Sequence, residues 1–362
     1  MSHAARIALA AVVAVGLLAP VPASAQNQAQ PAPDGTAEQA FQRTPDGRPD
    51  LQGYWTTQTF TPLERPDHLA DKEFFTEEEW AYLQDTLTAA GVDPSAREIL
   101  TLIELEDREE LERYKFQGNR TREERHHIHY DNEIWLRTPV PKGLSTRRTS
   151  LITYPRNGRM PALTPQGAAR AAHARAMREV FDSHETRPHS ERCITWGHEG
   201  PPMMPPSYND IHQIFQTPDH IVVHTEMANN PPRIVPLDGR PHISDRIRQF
   251  PGDSRGRWEG DTLVIETRNY AERRRFRGAT GALHVVERFT PTASPDQIHY
   301  EFTVSDPTTW VSRWTVELPM VRIEGPLYEY GCHEGNHDIR HILEINRNLE
   351  RMATEAAGDG RQ

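Results

Sequence analysis

The residues best suited to chemistry lie around the two cysteines of the chain, Cys193 and Cys332. An even pair of cysteines in an exported protein is most simply a disulfide, and a thiol nucleophile or metal ligand is the alternative. A disulfide holds its two Cα atoms about 5.5–6 Å apart, so it would join the histidines and carboxylates of the two flanking segments. The cysteines therefore predict one local cluster built from two distant parts of the chain.

The predicted acid–base set of this cluster is His333, Glu334 and His198. A neighbouring histidine and glutamate can transfer protons when partial burial moves their pKa values toward neutrality. The alternative is a structural role, in which His333 and Glu334 cap the following helix and pair with Arg192. Arg192 and Trp196 are the predicted binding residues beside Cys193.

His224 and Glu226 are further predicted binding residues, and they lie on an apolar, strand-like stretch. Residues two apart on a strand share a face. If that face lines a cavity, the two side chains are polar groups among apolar walls, as ligand sites require. If it faces solvent, they have no special role. No cofactor is predicted, because the chain has no G-x-G-x-x-G or Walker motif. Residues 252–256 match the letters G-x-S-x-G, but they lack the strand–turn–helix context of a nucleophile elbow and are predicted to be a turn.

Histidine is abundant, with 18 residues, and two pairs have spacings compatible with a metal. His127 and His129 would project to the same side of an extended segment, and His337 and His341 would share one helix face. Solvated surface positions and helix capping are the alternatives. The sequence therefore offers a histidine-ligated metal protein as a hypothesis, but no metal ligand belongs to the predicted site.

The elements that must position these side chains are mainly strands. From residue 211 onward, short apolar stretches alternate with turn signals, which is typical of an antiparallel meander that closes into a barrel or sandwich. The predicted strands cover 211–216, 221–227, 233–236, 257–258, 262–267, 283–292, 297–305, 309–319 and 327–330. The predicted fold is mainly β with accessory helices, an antiparallel meander that closes into a barrel and forms a single domain over residues 48–352.

Helices are predicted at three places. Thr76, with Glu79 three residues later, is a capping-box signal that opens a helical insert over about 76–115. Thr164 precedes a proline and an Ala- and Arg-rich stretch that runs to about residue 181. Asn336 is placed to cap a C-terminal helix that ends near Met352. Residues 353–362 are a predicted polar tail.

The first 25 residues have the pattern of a signal peptide: one cation at Arg6, an apolar run and the small residues Ala23 and Ala25 before cleavage. Residues 26–47, rich in Gln, Ala and Pro, are predicted to be a disordered leader. The predicted location is periplasmic or secreted. No later stretch approaches 18 consecutive apolar residues, so no integral membrane segment is predicted.

The charge balance of the chain limits the kinds of partner that it is expected to bind. The chain carries 41 basic and 52 acidic residues, net −11, which argues against nucleic-acid binding because that function needs a basic surface. With 36% hydrophobic residues and 30 prolines, the chain is expected to be a loop-rich globule. The predicted partner is a small-molecule ligand or substrate, which the predicted barrel would enclose.

Six phrases of the chain resemble a widespread family of exported bacterial proteins: TPDGRPDLQGYW at 44–55, RTSLI at 148–152, ERCITWG at 191–197, PLDGRPH at 236–242, GDSRGRWEGDTLV at 252–264 and CHEGN at 332–336. This resemblance implies export and carries no particular reaction with it. The triplet Gly53-Tyr54-Trp55 is similar to the Gly-x-Trp pattern on the first strand of lipocalin-like barrels. That similarity implies a barrel whose cavity holds one small ligand.

Three functions follow as hypotheses. The first is an exported β-barrel protein that handles a small organic molecule by acid–base chemistry, as a cofactor-independent lyase, isomerase or hydrolase. The second is a non-catalytic ligand carrier or envelope-associated binding protein of the same fold, with a mostly apolar cavity. The third is the histidine-ligated metal protein.

Overall fold

The structure is a computed structural model and describes residues 41–88, 143–196, 198–205, 210–227, 231–274 and 276–359. These residues belong to one compact unit, Glu38–Gln362. The predicted signal peptide, His127, His129 and most of the predicted helical insert lie outside them. No helix among the described residues is both long and apolar enough to cross a membrane.

The described strands form one antiparallel sheet. They are β1 Gly53–Thr56, β2 Ile152–Tyr154, β3 Ile211–Gln216, β4 His220–Thr225, β5 Arg233–Pro236, β6 Asp253–Glu259, β7 Thr262–Arg268, β8 His284–Pro291, β9 Gln297–Ser305 and β10 Trp314–Ile323. Hydrogen-bonded neighbours follow the order β5-β4-β3-β1-β10-β9-β8-β7-β6, and β2 pairs with β10 beside this path. The sheet is therefore a nearly closed nine-stranded barrel, as the sequence predicted.

The two ends of this strand order, β5 and β6, pack against each other. Gly256 of β6 permits the close approach, because a Cβ atom there would lie 2.5 Å from Leu237 and 3.0 Å from Val235. A side chain at this position would push the two strands apart. The small residue thus allows the sheet to curl until its edges meet.

The barrel interior is filled by side chains from alternate strand positions. On β9, Ile298, Tyr300, Phe302 and Val304 are fully buried, while the residues between them are half-buried. Trp314 at the start of β10 stacks edge-on against Phe302, with ring centroids 6.1 Å apart. This packed interior differs from the ligand-filled cavity that the lipocalin similarity implied.

The prediction of a strand over residues 327–330 is wrong, and the preceding strand was placed too early. Strand β10 runs to Ile323 because its last residues pair with β1, and residues 324–331 form no strand. Both edges of β10 are occupied by neighbours, β9 on one side and β1 with β2 on the other, so a following strand finds no edge there. Pro319 is tolerated in β10 because it lies between the β2 and β1 pairings, where no ladder donor is required.

In the part of the chain that the structure describes, three helices accompany the sheet, namely α1 Glu77–Leu87, α2 Pro165–Met177 and α3 Asp338–Asp359. The predicted capping box of α1 is present: Glu79 N donates to Thr76 Oγ1 (3.2 Å), and Thr76 N donates to Glu79 Oε2 (2.8 Å). Leu83 and Leu87 of α1 pack into a small apolar cluster separate from the barrel core. Helix α2 ends earlier than predicted, and α3 continues beyond Met352 into the predicted tail.

The end of the predicted leader, residues 41–47, lies against the barrel. Phe41 stacks on Trp55 of β1, with ring centroids 6.3 Å apart. Arg43 forms an ion pair of 2.7 Å with Asp261 in the turn between β6 and β7. These contacts hold the start of the described chain to the β1 and β6–β7 sides of the barrel.

Candidate functional site

The predicted disulfide between Cys193 and Cys332 is confirmed, with Cα atoms 5.7 Å apart. Asn336 reinforces it: its Nδ2 donates to the Glu191 carbonyl (2.9 Å) and to Cys193 Sγ (3.3 Å). Its Oδ1 accepts from Ile339 N (3.4 Å) at the start of α3, so Asn336 is the helix cap that the sequence predicted. The bond and the asparagine together tie the loop around Cys193 to the C-terminal helix.

The side chains that the sequence grouped around the disulfide occupy different environments. His333 and Glu334 are exposed, whereas His198 is buried. Trp196 is half-buried and meets Tyr330 edge-on, with ring centroids 6.3 Å apart. Arg192 is half-buried in the same loop. Glu191 of this loop forms an ion pair with Arg187 (2.9 Å).

The loop that follows the disulfide enters one end of the barrel. Met203 is fully buried, and its backbone N donates to the hydroxyl of Tyr300 (3.0 Å). The hydroxyl of Tyr270 donates to the carbonyl of Pro201 (3.5 Å). Pro201 and Pro202, each preceded by a cis peptide bond, are also buried. Barrel residues thus hold the loop, and the loop carries His198 to the ends of β3 and β4.

His198 contacts the segment that follows β4. Its Nε2–H donates to the backbone carbonyl of Glu226 (3.2 Å). Because a carbonyl oxygen only accepts, this bond puts the proton of the neutral ring on Nε2 and leaves Nδ1 as the basic nitrogen. Burial lowers the pKa of His198, and the nearby charge of Glu199 partly opposes that effect. His198 is therefore a neutral imidazole with a defined tautomer.

Glu226 is a buried carboxyl beside a second carboxyl, Asp210. Burial and, to a smaller extent, the charge of Asp210 together raise the pKa of Glu226 to about 7. Within the described part of the chain, Glu226 Oε2 has no hydrogen-bond partner. Asp210 Oδ1 accepts from the Thr56 hydroxyl (3.0 Å), which holds the second carboxylate in place. Glu226 is thus poised to gain or lose a proton near neutral pH.

His212 on β3 lies next to this pair and is fully buried. Its Nδ1 contacts Thr225 Oγ1 (3.0 Å) and its Nε2 contacts Thr57 Oγ1 (3.4 Å). Thr225 also donates to the carbonyl of Glu199 (3.5 Å), so the chain of bonds closes if Nδ1 donates and Nε2 accepts. Burial, together with the smaller effects of the nearby His198 and Arg233, lowers the pKa of His212 to about 3. His212 therefore stays neutral and orients Thr225.

Arg233 on edge strand β5 reaches across the barrel to Glu287 on β8. Its Nη1 and Nη2 donate to the two Glu287 oxygens (2.6 and 3.3 Å), and Tyr300 OH donates to Glu287 Oε1 (2.7 Å). Burial of the ring and the negative charge of Glu287 raise the pKa of Tyr300. The buried Arg233–Glu287 ion pair is therefore bidentate, and the Tyr300 hydroxyl gives Glu287 a third donor. Buried charges need such pairing and additional hydrogen bonds to offset the loss of solvation.

A small cavity of about 20 Å³, large enough for one water molecule, lies beside Arg233 and Thr225. It is lined by Glu199, Gly200, Pro201, Val223, Thr225, Pro231, Arg233 and Pro251. Arg233 and Thr225 both line the cavity, and Glu226 follows Thr225 in the chain without lining it. Its walls come from the loop tied by the disulfide and from strands β4 and β5.

The structure places the remaining predicted site residues as follows. His224 is half-buried on β4, between the buried Val223 and Thr225, and burial lowers its pKa. Glu226 lies just beyond β4, where its backbone N still donates to the Ile211 carbonyl (2.8 Å). His337, which lies just before α3, and His341, which lies on α3, are both exposed.

Sequence reasoning missed His212 and Asp210, which the fold brings beside Glu226. The available signal was the stretch Asp210-Ile211-His212-Gln213-Ile214, in which His212 shares a strand face with the apolar Ile214. A histidine in phase with buried residues is a candidate for burial. What it contacts depends on the register of β3 with β4, where His212 pairs with Thr225.

Comparison of the chain with protein-family models, curated proteins and solved structures found no match. The nearly closed antiparallel barrel fits the lipocalin-like pattern of Gly53-Tyr54-Trp55. The resemblance to a family of exported bacterial proteins stays a prediction. The function must therefore be argued from the site itself.

Proposed function

We propose that the protein handles a small organic molecule at the end of the barrel that the loop around Met203 enters, with Glu226 as the proton-transferring group. The observation that carries the proposal is the position of Glu226: a buried carboxyl whose pKa lies at about 7, beside a buried, neutral His198. Groups with pKa values near the working pH are the most effective general acids and bases. The sequence-predicted set contributes His198, and Glu226 replaces Glu334 as its partner.

The neighbouring residues supply the other functions of such a site. Arg233 places a guanidinium at the cavity, where it suits a carbonyl or carboxylate group of a ligand. Thr225, oriented by His212, adds a hydroxyl to the same wall. The reaction class is a cofactor-independent lyase, isomerase or hydrolase reaction, because general acid–base catalysis can assist each of these without a cofactor, with water as the nucleophile in a hydrolysis. A ligand larger than water requires the loop at Gly200–Pro201 to move outward.

Export is part of the proposal. The disulfide supports a periplasmic or secreted location, since such bonds persist in oxidising compartments. The confirmed bond also joins the loop that carries His198 to α3, so oxidation would set the position of a proposed catalytic group. A reducing compartment would leave that loop held by non-covalent contacts alone.

Untargeted metabolite profiling tests the proposal. Purified wild-type protein, E226Q and H333A are each incubated with a small-molecule extract. We expect a metabolite that wild type and H333A consume and E226Q does not, because His333 is exposed whereas Glu226 is buried. Loss of turnover in H333A with retention in E226Q would return the chemistry to the His333–Glu334 pair. A metabolite that is retained unchanged by all three proteins would identify a carrier.

A further inference from the structure

A second cluster of chemically competent side chains lies on the outer face of the barrel, away from Glu226. His299, Glu301 and Glu317 place one ligand atom each within 4.8 Å of one another. Glu301 on β9 and Glu317 on β10 are direct cross-strand partners, and His299 lies two residues before Glu301 on the same face. All three side chains are half-buried.

The strand register makes this arrangement costly without a cation. Like charges directly opposite each other on neighbouring strands destabilise a sheet. Arg148 lies 3.6 Å from Glu317, but it also pairs more closely with Glu73 (2.7 Å). Arg288 is the β8 partner of Glu301 in the sheet, yet its guanidinium donates to Glu259 (2.9 Å). Among the described residues, the only cation paired with Glu301 or Glu317 is therefore Arg148, which also pairs with Glu73.

The surroundings leave space beside the cluster. On one side the next cross-strand pair, Thr303 and Thr315, is closed by a hydrogen bond of 2.9 Å between the two hydroxyls. The same threonines and Glu301 line a groove of about 500 Å³, which Tyr154 and Arg313 border. In the described part of the chain, no side chain donates a hydrogen bond to the Glu301 carboxylate, and the imidazole of His299 has no hydrogen-bonded partner.

We propose that His299, Glu301 and Glu317 bind a divalent transition-metal ion, for which Zn²⁺ is the best match. One imidazole nitrogen and two carboxylate oxygens are a mixed N/O donor set that suits Zn²⁺. Bonds of about 2.0–2.2 Å to the three ligands require their atoms to approach within roughly 3.5 Å, which rotations of the two glutamate side chains allow. Three protein ligands leave a fourth position open, and the adjoining groove with Arg313 suits an anionic ligand there.

Zinc titration of metal-free protein tests this site. Full-length, tag-free protein is stripped with EDTA, dialysed and titrated with Zn²⁺ against a competing chelator. Wild type is expected to bind Zn²⁺ at this site, and H299A and E301Q are each expected to weaken that binding roughly 100-fold or more, since loss of a ligand exceeds the 10–100-fold effect of outer-shell changes. Thermal unfolding supplies a second readout, because an ion that binds the folded state raises Tm for wild type and not for H299A.

A matched control uses His284, whose Nε2 lies 2.9 Å from Glu266 Oε1 on the same outer face. H284A removes a histidine–carboxylate pair that is half-buried like the proposed ligands, and it should retain the wild-type affinity. The proposal is overturned if H299A and E301Q bind Zn²⁺ as wild type does, if H284A loses as much affinity as they do, or if wild type binds no Zn²⁺. E301Q keeps the shape of the side chain, and its unfolding curve without metal shows that the fold is retained.

Discussion

Replacing Glu226 by glutamine is expected to change how the free energy of unfolding depends on pH. Glu226 is 2% exposed, and burial with the charge of Asp210 raises the pKa of its carboxyl from 4.5 to about 7. In the unfolded chain the carboxyl titrates near 4.5, so between these values the folded state holds the extra proton. The stabilising contribution of the protonated group is fully present below pH 4.5 and is lost as the pH rises through about 7.

The magnitude follows from the two pKa values. Each pH unit between them changes the free energy of unfolding by about 1.4 kcal/mol, which gives a loss of roughly 3 kcal/mol for wild type across the window. Glutamine has the same shape and carries no charge, so E226Q lacks this loss. The difference in stability between E226Q and wild type should therefore rise by roughly 3 kcal/mol from about pH 4.5 to about pH 8.

Urea denaturation followed by tryptophan fluorescence measures this difference at both pH values. Other groups that titrate are common to the two proteins and cancel in the comparison. E334Q is the matched control, because it makes the same replacement at an exposed carboxyl. If the difference for E226Q changes with pH no more than the difference for E334Q, Glu226 is not a buried acid in the folded protein, and the proposed proton-transfer role loses its basis.

Three further predictions address the same architecture. D210N removes the charge that adds to burial at Glu226, so the pH midpoint in the assay above should move below 7; an unchanged midpoint would show that the two carboxyls do not interact. Y300F removes the donor to Glu287 (2.7 Å) and the acceptor for Met203 N (3.0 Å), and it should lower the free energy of unfolding by about 1–3 kcal/mol; a loss under about 0.5 kcal/mol in urea denaturation would contradict these bonds. C193S/C332S opens a loop with a sequence separation of 139 residues and should destabilise the protein by up to about 5 kcal/mol. Reductant should lower the free energy of unfolding of wild type to the value of that variant and leave the value for the variant unchanged. Equal stability of wild type with and without reductant would refute the prediction.

Much of the fold was predictable because the signals for it are local. The alternation from Ile298 to Val304 marks a strand with one buried face, and β3, β5 and β9 have the predicted bounds. Helix α1 begins where Thr76 and Glu79 can satisfy each other's backbone amides. Such patterns depend on residues a few positions apart, so the amino-acid order is enough to read them.

The strand predicted at 327–330 failed for a reason that local pattern does not contain. An extended apolar segment becomes a strand only when a sheet edge is available, and β1, β2 and β9 already occupy both edges of β10. The candidate site shows the same limit. His333 and Glu334 are near Cys332 in the chain, but they point to solvent, while the distant Glu226 lies beside His198.

The amino-acid order by itself determined the β-rich class, the helix caps and the pairing of the two cysteines, because each depends on local periodicity, on a cap within one turn or on there being a single possible partner. Tertiary structure alone decided which titratable groups meet. The register of β3 with β4 buries His212 next to Thr225, and the loop tied by Cys193 places His198 on Glu226. Burial and neighbouring charge move pKa values, and both arise only when these separate segments pack together.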